Sequence, residues 1–367
     1  MSVGAKIRPG APVPGVLHVE RLVDTGPSRR RLGATAALVA IVVAGTVAFP
    51  LVDTNPLDTS IAFFTLVYMV AVTAWNSFSG FSGYIALGHA VFFGSGGYTI
   101  AVAAEHLGLQ GGYTMFALVP LAGAIGGAIA VPFGLIALRT RRHTFVVITI
   151  AIFFIFQLLA FNLSFTGGSS GLQLPTPLWG PTFFNEHFYY VALGGLALRV
   201  LVATLIRRAR FGLQLLAIRD DEDRARGLGV KVGRVKLTAF VLSAIPVAMV
   251  GALYAYFIGQ VFPQFMFDPL FDVAIALMAF FGGLGTITGP LLGALVLEPI
   301  QQYLTIMFSA GTEYLIVYGA LFLAVMLLLP RGVVPTVTHW VRTRHARGHT
   351  VWEAAPPLAE TSPEEAL

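Results

Sequence analysis

The amino-acid sequence predicts an all-α polytopic membrane protein, from its composition and from the spacing of its apolar segments. Hydrophobic residues make up 56% of the 367 residues and charged residues 11%, whereas soluble proteins average about 45–50% and about 25%. Apolar runs of about 20 residues recur along the chain, and a helix of that length crosses about 30 Å of hydrocarbon. The chain has no cysteine, which excludes disulfides, thiolate metal sites and cysteine nucleophiles.

Ten apolar segments are candidate transmembrane helices, and eight or nine helices also fit because two of the segments are short. The first follows a polar N-terminal segment, residues 1–32, and is too long to be the apolar part of a signal peptide. The ten segments are 33–52, 61–76, 84–104, 113–138, 144–163, 188–206, 237–258, 271–284, 289–308 and 314–329, of which 61–76 and 271–284 are the short ones.

The positive charges predict the orientation of these helices. If the N-terminus is cytoplasmic and the ten segments alternate, every lysine and arginine except Arg199 falls in an inner segment. Cations near helix ends resist translocation, so the N-terminus and the C-terminus are both expected to be cytoplasmic. This assignment gives a cytoplasmic segment 1–32, a membrane domain 33–330 with an outer loop 164–187 and a cytoplasmic loop 207–236, and a cytoplasmic tail 331–367, basic and then disordered.

Motifs for catalysis and nucleotide hydrolysis are absent from the sequence. No Gly-Lys-Ser/Thr occurs, and the glycine-rich run 167–171 lies in an outer loop with no helix N-terminus to bind phosphate. No HExxH and no paired-histidine spacing occurs either. We therefore expect no catalytic residue, metal or cofactor. Because the chain has no motif for nucleotide hydrolysis, the energy for its function would come from a source outside the chain.

Small and polar residues interrupt the apolar pattern between residues 76 and 97. Glycines in such a stretch suit either close helix packing or a broken helix beside a cavity. Backbone freed by a break must be buried in protein or wetted, as at translocation sites. A lone histidine such as His89 either contacts a polar substrate or caps a neighbouring helix. The candidates for the translocation path are Asn76, Ser79, Gly88 and His89, and those for structural glycine breaks are Gly94 and Gly97.

Glycines and one acidic residue mark the last third of the chain. Glycine-rich sequence between two apolar runs predicts a tight turn or a re-entrant break, formed by Gly282, Gly283, Gly285 and Gly289. Glu298 lies in the middle of a span, where an ionised group costs about 2.5–3.5 kcal/mol, so we expect it to face the interior and the path. Arg199 either snorkels part-way to the inner surface or pairs with Glu298, and the sequence leaves this open.

Residues 210–230 predict a short amphipathic helix, a turn and a second short helix that ends at a glycine. Apolar residues recur there at helical spacing, at Leu213, Leu216, Ala217, Ala225 and Leu228. A basic inner loop suits anionic lipid headgroups, but the acidic run 220–223 would be repelled by that surface. A cytosolic protein partner explains the mixed charge better.

Four stretches resemble the LivM-type permease subunits of ATP-driven importers of branched-chain (hydrophobic) amino acids. They are residues 80–90, 219–240, 282–290 and 329–332, in the family's order. The pattern Glu222-x-x-Ala225-x-x-x-Gly229 resembles the family's loop that docks on a cytosolic ATPase, which makes Arg219, Glu222, Ala225 and Gly229 the expected coupling residues. One departure follows Thr166-Gly167-Gly168, where the family more often has Pro or Asp.

The resemblance implies a permease that moves branched-chain or related amino acids through a bacterial plasma (inner) membrane into the cytoplasm by alternating access. It also implies a second related permease, two cytosolic ATP-binding subunits, an extracytoplasmic solute-binding protein, contact with membrane lipid and no nucleic acid. An ion-coupled secondary transporter of a small polar solute is the alternative, but it needs buried carboxylates and Glu298 is the only mid-span candidate. A membrane-embedded transferase or hydrolase would need clustered carboxylates or histidines. The family also carries urea and amides, so the sequence does not identify the solute.

Overall fold

The computed structural model describes residues 44–52, 55–177, 179, 181–308, 316–317, 319–320, 323, 327 and 332–346. Residues 1–52 and 53–367 are two separate units. In the first unit the described residues, 44–52, are helical. The predicted segment 1–32 lies outside the described residues, as do most of the predicted spans 33–52 and 314–329 and the end of the tail.

The second unit is built almost entirely from helices. They are α1 (Pro56–Ser82), α2 (Ala90–His106), α3 (Tyr113–Ala117), α4 (Val119–Ala137), α5 (Arg142–Asn162), α6 (Pro181–Arg208), α7 (Arg210–Asp220), α8 (Glu222–Gly227), α9 (Val232–Ile258), α10 (Pro263–Met266), α11 (Pro269–Gly282), α12 (Thr288–Met307) and α13 (Val333–Ala346). Two short strands, β1 (Leu172–Gln173) and β2 (Gln260–Val261), pair antiparallel.

Six helical segments among the described residues are long and apolar enough to cross a membrane. They are Pro56–Ser82, Tyr113–Ala137, Arg142–Asn162, Asn185–Arg208, Val232–Ile258 and Pro263–Gly282. The α2 helix has only 17 residues, and α12 contains Glu298 and Pro299 within its 20. The structure therefore agrees with a multi-pass helical membrane protein, and the count of ten spans stays a prediction.

The predicted end of the second span, 61–76, is wrong, because α1 continues as a helix to Ser82 and ends at Gly83 with φ 73°. The hydroxyls of Ser77 and Ser82 bond to the carbonyls four residues earlier, so these polar residues are satisfied inside the helix. The break falls one step later along the chain, at residues 83–89, and α2 begins at Ala90 rather than at residue 84. We refer to residues 83–89 as the α1–α2 segment.

The α2 helix is continuous through its glycines, so the expected breaks at Gly94 and Gly97 are also wrong. A Cβ added at Gly96 would collide with the carbonyl of Ala248 in α9, and one at Gly94 would collide with the ring of Phe267. Gly97 lies equally close to α10. Small residues let helix backbones approach closely in membranes, so these glycines pack a continuous helix against its neighbours.

One end of the bundle brings together four segments that the charges predict to be cytoplasmic. The Arg142 guanidinium donates to the carbonyl of Arg219 at 2.6 Å. Arg207 donates to the carbonyl of Gly285 at 3.1 Å, and α1 ends beside the same loop. We call this end the α7–α8 end, and its shared contacts agree with a single side of the membrane for these segments.

The opposite end brings together three segments that the charges predict to be outside. Strands β1 and β2 join the loop 164–187 to the α9–α10 connection through Leu172 and Val261. The Tyr256 hydroxyl accepts from the N–H of Gly112 at 2.7 Å, which ties the α2–α3 connection to α9. We call this end the strand end.

The orientation is testable with single cysteines, since the chain has none. Ser170 is exposed at the strand end, and the Asp223 side chain is 68% exposed at the α7–α8 end. We expect a membrane-impermeant thiol reagent to label Ser170→Cys in intact cells and Asp223→Cys only after lysis, because basic segments stay inside. The reverse pattern in intact cells would invert the topology.

Candidate functional site

The α1–α2 segment is non-helical backbone buried inside the helix bundle. Backbone groups at membrane depth must find partners within the protein. The Trp75 indole N–H donates to the carbonyl of Ala86 at 2.7 Å, and the Ala86 N–H donates to the Ser79 hydroxyl at 3.2 Å. The Leu87 N–H donates to a hydroxyl of α5 at 3.1 Å. Ser79, predicted to line the path, therefore supports this segment from α1.

A carboxylate from another helix caps the N-terminus of α2. Asp272 of α11 is 2% exposed and accepts from the N–H of His89 at 2.8 Å and of Ala90 at 3.2 Å. Negative charge is stabilised at a helix N-terminus by the free N–H groups and by the helix dipole. Asp272 is not among the residues predicted from the sequence, although an aspartate inside the predicted span 271–284 was the available signal. Glu298 is therefore not the only buried carboxylate.

The His89 side chain is buried among aromatic residues and holds the start of α2 against α9. Its Nε2 lies 2.9 Å from the Ser243 hydroxyl, and its ring packs edge-on to Phe92 and Phe240. Its Nδ1 has no hydrogen-bond partner among the residues that the structure describes. The preceding Gly88 leaves no room for a Cβ against α4 and α5. Within the described part of the chain, no group of three or more histidine or acidic residues is placed to hold a metal.

The Asn76 side chain supports the turn between α11 and α12. Its Oδ1 accepts from the Gly285 N–H at 2.8 Å, and its Nδ2 donates to a second backbone group of the turn at 2.7 Å. Gly283 and Gly285 have φ 122° and 80°, which only glycine adopts readily. A Cβ at Gly282 would collide with the carbonyl of Gly289. These glycines form a tight turn and not a re-entrant break, and the Asn76 side chain is hydrogen-bonded to that turn.

Glu298 and Arg199 are both buried, and they do not pair. Glu298 is fully buried, its Oε1 accepts from Gln302 at 2.8 Å, and its Oε2 has no hydrogen-bond partner in the part of the chain that the structure describes. Arg199 is 3% exposed and donates instead to the carbonyl of Thr73, at 3.0 Å, and to the hydroxyl of Ser77. Its guanidinium is therefore held inside the bundle by α1. The sequence did not decide whether Arg199 and Glu298 pair, and in the structure each of them bonds to other residues.

The predicted pair of short helices is present as α7 and α8. Asp221 separates them and accepts from the N–H groups of Asp223 and Arg224, both at 3.0 Å, so it caps α8. Gly229 follows α8 with φ 86°, as the predicted glycine stop requires. The buried face of α7 differs from the predicted one, because Leu213 is 62% exposed. The buried residues of α7 are Gly212, Leu215 and Ile218.

Glu222 of α8 is held inside the chain by Tyr84 and Lys236, a trio that we call the latch. The Tyr84 hydroxyl donates to Glu222 Oε2, and Lys236 Nζ lies 3.1 Å from both Glu222 Oε1 and the Tyr84 hydroxyl. The Lys236 side chain is 4% exposed and that of Glu222 20%. Burial raises the pKa of Glu222, but the hydrogen bonds from Tyr84 and Lys236, together with the positive charges of Lys236 and Arg226, lower it by more. Its carboxylate is therefore charged at neutral pH.

Most of the predicted coupling residues point into this chain. Arg219 donates to the carbonyl of Gly80 at 2.8 Å, and Ala225 is 2% exposed. Glu222 belongs to the latch. Only Gly229 lies at the surface, next to Leu228, which is 84% exposed. A sequence motif cannot distinguish inward from outward side chains, so the sequence missed both the latch and the exposed leucine.

Most of the chain aligns with one family of known proteins. Residues 57–328 match the family model described as branched-chain amino acid transport system / permease component. The LivM permease protein of the high-affinity branched-chain amino acid transport system of Salmonella typhimurium is 30% identical over 353 residues, covering 88% of this chain and 79% of that protein.

Two further relatives match shorter stretches. The L-arabinose ABC transporter permease protein AraH of Azospirillum brasilense is 26% identical, covering 55% of this chain and 60% of that protein. The LivH permease protein of Escherichia coli, from the high-affinity branched-chain amino acid transport system, is 32% identical and covers 35% of this chain and 41% of its own length. No solved structure matches the chain.

Proposed function

Because the chain belongs to the family of permease components of branched-chain amino acid transport systems, and is thus a permease subunit of an ABC importer, we propose that it carries branched-chain or related amino acids into the cytoplasm. The observation that supports this substrate class is the 30% identity to LivM over 88% of the chain. The subunit is a transporter component and not an enzyme. Its apolar helices make it a multi-pass membrane protein.

We propose that the subunit works in a complex in the bacterial inner membrane. The LivH match supports a second, related permease beside it. The same family supports two cytosolic ATP-binding subunits, which hydrolyse the ATP, and a solute-binding protein on the outer side. The sequence similarity to an L-arabinose ABC permease disfavours the ion-coupled secondary transporter.

Coupling is proposed to run from the α7–α8 pair into the bundle. An ATP-binding subunit that closes would pull on α8, whose Glu222 is bonded to Tyr84 at the start of the α1–α2 segment. The other end of that segment, at His89, is bonded to Asp272 of α11. Movement of α8 would therefore reach the buried start of α2 through these two hydrogen bonds and the backbone between them. A shift there would change which side of the membrane is open.

The docking surface is proposed to centre on the exposed Leu228. Ala225→Glu, the change that the motif suggests, is not a clean test, because Ala225 is buried in its own chain. Gly229→Val would strain the backbone at φ 86°. Leu228→Ser removes an apolar side chain that this chain does not bury.

We expect Leu228→Ser to insert and fold normally but to lose ATP-binding subunits during purification. Burying a leucine in a partner contributes about 1.5–3 kcal/mol, which corresponds to roughly 10- to 100-fold in affinity. Co-purification and uptake measure the effect. Leu107→Ser is the matched control, because Leu107 is 63% exposed at the strand end. Equal ATPase retention in both variants would contradict a docking role for Leu228.

A further inference from the structure

A cavity of about 370 Å³ lies between α4, α6 and α9. Its size is at the lower end of the roughly 300–1,000 Å³ typical of small-molecule sites. Its walls are aliphatic and aromatic, for example Val70, Ile245 and Leu253. One charged residue, Arg199, lines it. The cavity therefore offers an apolar volume with a single cationic group.

Arg199 lines this cavity, and its guanidinium has unused hydrogen-bonding capacity. Its two acceptors among the described residues, the Thr73 carbonyl and the Ser77 hydroxyl, are both neutral. Its Nε is buried and has no hydrogen-bond partner within the described ranges. An arginine stays protonated in proteins and presents five donors in a planar fork. A buried guanidinium that has only neutral partners and an unused N–H is suited to bind an anion.

The depth of Arg199 selects between the possible anions. It stands nine residues before Arg208, at the end of α6, which places it about 14 Å along the helix from that end. The hydrocarbon core of a bilayer is about 30 Å thick, so the Cα of Arg199 lies within it. A lipid phosphate stays at the headgroup level, whereas a permeating solute passes through this depth.

We propose that Arg199 binds the carboxylate of an amino acid whose apolar side chain occupies this cavity. Guanidinium and carboxylate form charge-assisted, often bidentate, hydrogen bonds, and the aliphatic wall suits a branched-chain residue. The inference rests on the proposed function and adds the group that recognises the solute inside the membrane.

Space for the solute is available beside two glycines of α6. A Cβ added at Gly194 or at Gly195 would meet nothing within 4 Å, and both residues line the cavity. A larger side chain at Gly195 would therefore have room for its Cβ and would project into the cavity.

The proposal is tested by measuring how tightly leucine and leucinol bind to the purified complex of permeases and ATP-binding subunits. Leucinol has the same side chain as leucine but no carboxylate. We expect the wild-type complex to prefer leucine by about 10- to 100-fold, the range of a hydrogen bond to a charged group. Arg199→Gln should abolish this preference, and Arg199→Lys should keep part of it. A structural role alone would weaken both ligands equally, and that result would overturn the proposal.

If Arg199→Gln does not fold, Gly195→Leu is the second test of whether the solute binds in this cavity. It should abolish leucine binding, while Gly233→Leu, at a glycine that also has open space around it but lies away from the cavity, should bind like wild type. Unchanged leucine binding by Gly195→Leu overturns the proposal. So does a wild-type complex that binds neither ligand, or one that binds anionic phospholipid vesicles in an Arg199-dependent manner but not leucine. If ATP-driven leucine uptake persists in any of these cases, the proposed transport function is retained and only the role of Arg199 is overturned.

Discussion

Glu222→Gln is expected to reduce ATP-driven uptake by roughly tenfold or more while the ATP-binding subunits stay attached. The change removes the counter-charge of Lys236, whose side chain is 4% exposed. Breaking a fully buried ion pair costs about 3–5 kcal/mol, and the 20% exposure of the Glu222 side chain places the loss below that range. Tyr84 then donates to a neutral amide oxygen at best, so the latch holds α8 to Tyr84 more weakly. Uptake and ATP hydrolysis are measured together in proteoliposomes.

The controls separate coupling from stability. Arg226→Gln removes another partner of Glu222, 3.1 Å away but 61% exposed, so its cost is about 0–1 kcal/mol and uptake should be near normal. Adding Lys236→Met to Glu222→Gln removes the unpaired charge and should restore stability without restoring uptake. If the double variant regains full uptake, Glu222 and Lys236 only stabilise the fold and do not transmit motion.

Asp272→Ala is expected to destabilise the membrane domain by about 2–4 kcal/mol, because it leaves the first N–H groups of α2 unsatisfied in a buried site. Loss of the favourable charge at the helix N-terminus adds to the cost. Asp272→Asn keeps one acceptor oxygen and should lose less. Thermal unfolding of the detergent-purified protein, followed by size-exclusion chromatography, measures the difference.

Asp268→Ala is the matched control for this change. Asp268 caps α11 by accepting from the N–H of Leu270 at 2.9 Å, at an exposed helix start. Its loss should cost about 0.5–2 kcal/mol, as for other exposed caps. If both alanine variants unfold at the same temperature, the Asp272 cap has no special role in holding the α1–α2 segment, and the proposed route from α8 to α11 is interrupted there.

The apolar segments were predictable from the sequence because length and hydrophobicity act locally. The helices α3 and α4 together, at Tyr113–Ala137, and α5, at Arg142–Asn162, begin and end within two residues of the predicted spans 113–138 and 144–163. The same local reasoning misplaced the break after α1, because a serine in a helix satisfies its own hydroxyl and leaves no mark on the pattern. The α1–α2 segment depends on distant side chains instead.

The candidate site was only partly predictable, since its contacts join residues that are far apart along the chain. Glu222 was singled out from a motif, but its partner Tyr84 lies 138 residues away. Asp272 and His89 are separated by 183 residues. Nothing in a single sequence signals such pairs. The sequence therefore predicted the two short helices α7 and α8 but could not show which of their residues face inward.

The central claim, that the chain is a permease subunit of an ATP-driven importer of apolar amino acids, is tested most directly by reconstituted transport. The permease pair, its ATP-binding subunits and the solute-binding protein are assembled in proteoliposomes, with ionophores that collapse proton and sodium gradients. The account predicts leucine uptake that requires ATP hydrolysis and is unaffected by the ionophores. Uptake that proceeds without ATP and disappears when the ion gradients collapse would contradict it.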